Sequence, residues 1–297
     1  SSAVTIVGKG AQRVAGQRTG QNAGGNALAQ AVSARDVDII ETVRAAVQGR
    51  QVVLAYQPVM QAAAPDRVAF WEGFARVQDG TGRILPAGQF MAQVEETEVG
   101  RMIDCLALDR GLKALAQTPD LRLSINLSAR SIGFPRWNRI LRRGLARDVT
   151  VGERLILEMT EGSVILVPEL VTNFMSDLRA KGIAFALDDF GAGLSAFRHF
   201  RRFQFDILKI DGQFCRGVAK DPDNQVLTRA MQAVAHHFDL YCVAEQVETA
   251  EDAAYLRDIG VDCLQGYHFA APMLAPPFLS DGDAQQIAPV NVAKAAV

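Results

Sequence analysis

Histidine and cysteine are scarce in this chain, four of each in 297 residues. Cys105, Cys215, Cys242 and Cys263 have no CxxC spacing and sit in apolar segments. That excludes a zinc ribbon or a disulfide framework and fits inert buried thiols in a reducing compartment. The histidines (His199, His236, His237 and His268) fall in helical stretches or just past a strand, so they read as structural or surface residues. Neither charge sign dominates: the net charge is −2, without the basic excess that binding a nucleic-acid polymer requires. No run of 18 apolar residues exists and no secretory signal heads the chain. An initiator methionine is missing too, since the chain opens Ser1-Ser2. We expect a cytoplasmic piece of something longer, whose parent could itself be membrane-anchored.

What is present is a regular alternation. Residues 1–35 are rich in Ala, Gly, Gln and Ser with little hydrophobic pattern, as in a flexible tail or linker. A second tail is expected over 281–297, leaving a domain at 36–280. Within it, Gln51 to Met60 and Arg67 to Val77 read as two strands of a hairpin. Phe90 to Gln117 has helical periodicity broken near Gly100, and Leu121 to Ser128 alternates as a strand. Helix and strand then take turns: 137–146, 154–160, 168–181, 183–188, a short helix at 196–200, 205–211, 224–238, 240–245, 251–259 and 261–267. Strands alternating with helices predict a parallel sheet covered by helices. About eight strands in about 250 residues is the size of a TIM-type (β/α)8 barrel. The opening hairpin makes it atypical, with the first strand antiparallel.

Barrel chemistry collects at the C-terminal ends of strands, and here those ends carry Glu72, Asn126, Glu158, Asp188 with Asp189, Lys209, Glu245 and Gln265. Parity aims them inward: Ala184, Ala186 and Asp188 share a face, as do Ile207 and Lys209, and Tyr241, Val243 and Glu245. Asp188 and Asp189 would diverge along a continuous strand. They converge only if the strand ends there and the chain bends, as Gly191 and Gly193 permit. On that stretch alone, a site for hard divalent ions and a simple helix cap are equally good readings. The whole row favours the first. Nearly all its ligand-type atoms are oxygen, which suits Mg2+ or Mn2+ rather than zinc, and five or six carboxylates suit two ions. Two ions are suited to attack of water on a phosphodiester, with Lys209 orienting that water or stabilising the transition state. Arg76 shares parity with Glu72 and Phe74. A substrate phosphate and an ordinary salt bridge are both open to it.

Several spaced motifs then carry a resemblance. Tyr56-Gln57-Pro58 is similar to YQP, Asn126-Leu127-Ser128 to NLS, and Glu158-Met159-Thr160-Glu161 to ExTE. Asp188-Asp189-Phe190-Gly191 matches DDFG, Lys209-Ile210-Asp211 matches KID, Glu245 to Glu248 is similar to EGVE, and Gln265-Gly266-Tyr267 matches QGY. Over roughly Asp36 to Pro277 the chain resembles the EAL domains, the cyclic-di-GMP phosphodiesterases. The resemblance implies hydrolysis of cyclic di-GMP to linear pGpG with two Mg2+ or Mn2+ ions. By position, Glu72, Asn126, Glu158 and Asp188 would hold one ion, and Asp188 with Asp189 the second, with Glu245 close by through water. Lys209, Glu245 and Asp189 would be catalytic, Lys209 positioning the nucleophilic water. Gln57, Phe74, Arg76 and Gln265 would face the substrate. Glu161 would brace the loop after Asp189, with Asp211 and Glu248 in support. The resemblance also implies a homodimer, and we expect a regulatory domain upstream in the parent protein.

The departures from the family pattern are Gly73-Phe74 after the metal-binding Glu72, Ala192, Leu194 and Ala196 in the loop, and Gln246 in place of the Gly of EGVE. Gly73 is expected to loosen its strand, and Phe74 to stack on a guanine or crowd it. None of these removes a ligand. A catalytically weak module that binds cyclic di-GMP or a partner protein is the alternative reading.

Overall fold

Leu155–Thr160 reads LILEMT and is buried along nearly its whole length. A strand with no polar face needs cover on both sides, as parallel sheets have. The computed structural model describes residues 38–193 and 203–279 and meets that need with a closed barrel. Its strands are β1 Val52–Gln61, β2 Ala64–Gln78, β3 Ile84–Pro86, β4 Leu123–Asn126, β5 Leu155–Thr160, β6 Ala184–Phe190, β7 Ile207–Ile210, β8 Tyr241–Ala244 and β9 Cys263–Leu264. The sheet order β1-β9-β8-β7-β6-β5-β4-β2-β3 is closed by pairing of β1 with β2. Eight strands therefore form the barrel, and β3 extends the sheet beyond β2. β1 runs antiparallel to both β2 and β9, as the opening hairpin foretold; from β2 through β4 to β9 the neighbours are parallel.

Helices pack outside, and their starts are written in the sequence. Thr97 accepts from Val99 N to begin Glu98–Gln117. Asp221 accepts from Asp223 N and Asn224 N ahead of Pro222–His237. Thr249 and Asp252 cap Ala250–Asp258, the hydroxyl accepting from Asp252 N and donating to its carboxylate. The outer core lies between sheet and helices, with Trp137, Phe185, Phe190, Leu123 and Leu155 among its fully buried side chains.

The inner core has layers, and the layers place the site. Val59, Phe70, Ile156, Ala186, Ile207, Val243 and Cys263 form one apolar cluster. Two residues further along each parallel strand, on the same face, come Glu72, Glu158, Asp188, Lys209, Glu245 and Gln265. On the antiparallel β1 the count runs backwards, so Gln57 precedes Val59 by two. A dry apolar floor thus carries a polar layer directly above it.

Several expectations need correcting. Glu72 is not at a strand end, because β2 continues to Gln78, where it pairs with β3. The helix break falls before Gly100, between Met91–Val94 and Glu98–Gln117. Gly100 lies inside the second helix, where a β-carbon would come within 2.7 Å of Val94 O. β9 is much shorter than the strand expected at 261–267. β3 was not foreseen, since three residues are too few for alternation to register. Gly73 does not loosen β2: Ile125 Cδ1 lies 3.1 Å from where its β-carbon would be and fills the space. The tails expected at 1–35 and 281–297, the helix at 196–200 and the departures at Leu194 and Ala196 lie outside the described residues. The barrel lies wholly after Ile39. Among the described residues no helix is long and apolar enough to cross a membrane.

Gly73→Val is expected to destabilise the fold by about 1–3 kcal/mol through overpacking, measured by urea denaturation. Adding Ile125→Val, which removes the Cδ1 methyl, should recover part of that loss.

Candidate active site

β2, β5, β6 and β7, with Glu245 just past β8, deliver four carboxylates to one ammonium. Lys209 Nζ lies 2.6 Å from Glu245 Oε1, 2.9 Å from Glu158 Oε2, 3.0 Å from Glu72 Oε2 and 3.0 Å from Asp188 Oδ1. Its side chain is wholly buried. Burial alone would depress the Lys209 pKa, but Asp188, Glu158, Glu245 and Glu72 outweigh it and hold the pKa well above the ordinary lysine value. Lys209 is therefore a fixed cation and a hydrogen-bond donor, and it has no basicity to offer near neutral pH. Burial, and then crowding by Glu72, pushes the Glu158 pKa well above the usual carboxylate range. Burial and Asp188 do the same to Glu245. One ammonium does not neutralise this many acids.

Asp188 and Asp189 do converge, by a different route from the expected one. β6 runs through both residues to Phe190, which also removes the helix-cap reading. The bend is at Asp189 itself, with φ +55, where the register against β7 slips between Leu187 and Phe190. A left-handed residue costs roughly 1–2 kcal/mol away from glycine, less for Asp than for most side chains. The bulge brings the second carboxylate to the side of the first. Burial, then Asp188 and Asp211, raises the Asp189 pKa to about 6.

Two carboxylate groups result: Glu72, Glu158 and Asp188, and Asp188, Asp189 and Glu245. Within each, one oxygen per residue lies within 4.8 Å of the others, and Asp188 belongs to both. The fit to hard divalent cations rests on more than composition. Glu158 Oε1 is buried with no hydrogen-bond partner, and Asp188 Oδ1, though close to Lys209, lies outside hydrogen-bonding geometry. Buried carboxylate oxygens left in that state match the oxygen-only donor set of Mg2+ or Mn2+.

Around this centre the predicted residues divide into those that hold one another and those that line the cleft. Gln265 Nε2 donates to Glu72 Oε2 at 2.8 Å and to Gln57 Oε1 at 3.2 Å, while Gln57 Nε2 donates to Ala270 O at 2.8 Å. Gln57 thus lines the cleft but uses both ends of its amide to fix Gln265, which in turn aims Glu72. Asn126 Nδ2 donates to Glu72 Oε1 at 3.1 Å, leaving its carbonyl for a cation. Glu161 is buried beside Gly193, whose β-carbon position lies 3.0 Å from the carboxylate. The carboxylate thus packs against the backbone at Gly193, a contact that a larger residue would crowd. Asp211 caps Gly212–Cys215 by accepting from Gln213 N at 2.7 Å, and it does not line the cleft.

The site opens into a cleft of about 680 Å3 lined by Glu72, Phe74, Arg76, Asp104, Asn126, Asp188, Asp189, Arg216, Glu245, Gln246, Glu248, Gln265 and Tyr267, among others. Arg76 is placed over the Phe74 ring at 5.5 Å, and among the described residues no salt bridge engages it. Phe74 therefore supports an arginine. Asp104 and Arg216 were not anticipated. Asp104 lies on Glu98–Gln117, accepting from Ser131 Oγ at 2.6 Å and Ser128 N at 3.2 Å. Burial raises its carboxyl to about 7, against the lowering effect of those two hydrogen bonds. Its signal in the sequence is a lone acid between Gly100 and Leu108 on the buried face of an apolar helix.

Asp104 carries a pH signature. Its folded-state pKa lies above the unfolded value of about 3.9, so the native state binds the proton more tightly. The stability this contributes is full below about pH 4 and is lost as pH rises through 7. Asp104→Asn should flatten the fall in metal-free melting temperature over that window. An unchanged slope would assign the pH dependence to other groups.

The EAL domain family model matches residues 40–272. Cyclic di-GMP phosphodiesterase PdeR of Escherichia coli (strain K12) is 30% identical over 240 residues, which make up 80% of this chain and 36% of PdeR. The chain therefore spans about a third of that relative. Among solved structures, the Pseudomonas aeruginosa MucR phosphodiesterase in complex with cyclic di-GMP superposes with a TM-score of 0.73 at 28% identity, covering 82% of this chain and 100% of that one. The Xanthomonas citri FimX EAL domain in complex with cyclic di-GMP gives 0.73 at 26% identity, covering 84% and 100%. With the expected barrel, the converging acids and a family match over most of its length, the chain belongs to the EAL domain family.

Proposed function

We propose that the chain hydrolyses cyclic di-GMP to linear pGpG with two divalent cations. The observation that carries this is the pair of carboxylate groups sharing Asp188 at the floor of one cleft. Glu72, Asn126, Glu158 and Asp188 would hold one ion, and Asp188, Asp189 and Glu245 the other. Two such ions would supply Lewis acidity and lower the pKa of a bound water toward neutrality. The protein's own residues do the rest. Lys209, kept protonated by its neighbours, donates to and orients the attacking water and takes no proton from it. Gln57 and Gln265 keep Glu72 aimed, while Glu161 holds the loop that follows Asp189. Arg76, backed by Phe74, faces a substrate phosphate. Asp104, whose Oδ2 is taken by Ser131 and Ser128, turns its carboxyl group toward a guanine N–H. The tight network of buried acids on a single ammonium supports an active enzyme over a module that only binds. The proposal also includes a homodimer and a regulatory domain elsewhere in the parent protein. Supporting the second is that the chain covers about a third of PdeR and of MucR, the latter a bifunctional diguanylate cyclase/phosphodiesterase.

The purified chain, incubated with cyclic di-GMP and Mg2+ or Mn2+, is expected to form pGpG on chromatography, and EDTA should stop it. Glu72→Ala should abolish turnover, a loss on the order of 10^3-fold or more, with circular dichroism reporting whether it stays folded. Turnover surviving in folded Glu72→Ala would sink the assignment. Binding by calorimetry without turnover in the unmodified chain would make it a receptor.

A further inference from the structure

Arg216 follows the helix Gly212–Cys215 and lines the same cleft as the carboxylates. Its Nη2 donates to Gln246 Oε1 in a very short hydrogen bond, and its Nε lies 3.2 Å from Glu248 Oε1. All three side chains line the cleft. Gln246 stands where the family motif has glycine, and its φ is +52, a conformation that glycine adopts freely and glutamine does not. Its side chain lies across Gly212, where a β-carbon would come within 2.2 Å of Gln246 Cδ. A strained residue and a bare glycine thus combine to bring one carboxamide to one guanidinium.

Stability does not account for this arrangement. The side chains of Arg216 and Glu248 are 58% and 44% exposed, and ion pairs that open to water contribute little. The result of the strain is a guanidinium fixed at the wall of a ligand cleft. With one Nη2 hydrogen bonded to Gln246 and Nε set beside Glu248, the Nη1/Nη2 end keeps open donors, and among the described residues no acceptor is bonded to Nη1. Two parallel N–H groups match two adjacent acceptor atoms. Cyclic di-GMP offers such pairs as guanine O6 with N7 and as the non-bridging oxygens of a phosphate. On β2 the other departure does the same thing, Phe74 supporting Arg76.

We propose that Arg216 is a specificity-determining residue that binds a pair of acceptor atoms on the dinucleotide, with Gln246 and Glu248 as positioning residues. This rests on the cyclic-di-GMP reading above. The test is steady-state kinetics on the unmodified chain, Arg216→Ala, Arg216→Lys and Gln246→Gly, together with the inhibition constant of cyclic di-AMP as a competitor. Arg216→Ala should raise KM for cyclic di-GMP by about tenfold or more and leave kcat nearly unchanged. Arg216→Lys should fail to rescue it, because an ammonium lacks the fork. Gln246→Gly should also raise KM while its melting temperature equals or exceeds that of the unmodified chain, a combination that a merely structural glutamine would not give. If the cyclic di-AMP constant is unmoved in Arg216→Ala, the acceptors are guanine O6 and N7; if it rises in parallel, they are phosphate oxygens. An unchanged KM in folded Arg216→Ala overturns the proposal and leaves the phosphodiesterase reading standing. An unmodified chain that neither cleaves nor binds cyclic di-GMP overturns both.

Discussion

A single buried ammonium organises the upper half of this barrel. Lys209 has no water to share its charge with, and each of the four carboxylates around it would be too costly to bury ionised and alone. Pairing makes the layer tolerable, and the apolar floor of Val59, Phe70, Ile156, Ala186, Ile207, Val243 and Cys263 makes it strong by keeping the local dielectric low. The same economy leaves a deficit, since one positive charge faces several negative ones. A centre of this kind accepts divalent cations because its own electrostatics are incomplete.

Three of the chain's departures from its family pattern, Gly73, Phe74 and Gln246, have neighbours that answer them. Where β2 has Gly73 in place of a larger residue, the Ile125 methyl occupies the space. Where Gln246 replaces glycine, Gly212 lacks the β-carbon it would strike. Where Phe74 replaces leucine, an arginine rests on the ring. Two of these answers are steric, and the third is a cation resting on a ring.

Much of this was legible beforehand because a strand has a period of two. Parity alone put Glu158, Asp188, Lys209 and Glu245 on the inner face, and alternation with helices named the barrel. The antiparallel β1 followed from the hairpin spacing. The left-handed turn at Asp189 was not legible, since only the register slip against β7 reveals it. Asp104 left only a weak signal, a lone acid on an apolar helical face, and which edge of that helix meets the cleft is a matter of packing. Arg216 was hidden for a further reason: its role depends on Gln246 and Glu248, far away in sequence, and no local pattern records that meeting.

The barrel is closed by its own two ends. β1, the first strand of the barrel in chain order, pairs with β9 through Met60 and Gln61 and with Met273 through Tyr56, so its seam partners come from the other end of the domain. During synthesis the open edge of β1 must wait for almost the whole domain to leave the ribosome. Gln57 cannot reach Gln265 or the carbonyl of Ala270 until then, and Glu72 has only Asn126 and Lys209 to hold it until Gln265 arrives. The amide support of Glu72 is completed last, so a nascent chain cut short before this seam would hold every candidate ligand but lack the Gln57–Gln265 contact that holds Glu72 from the β1 side.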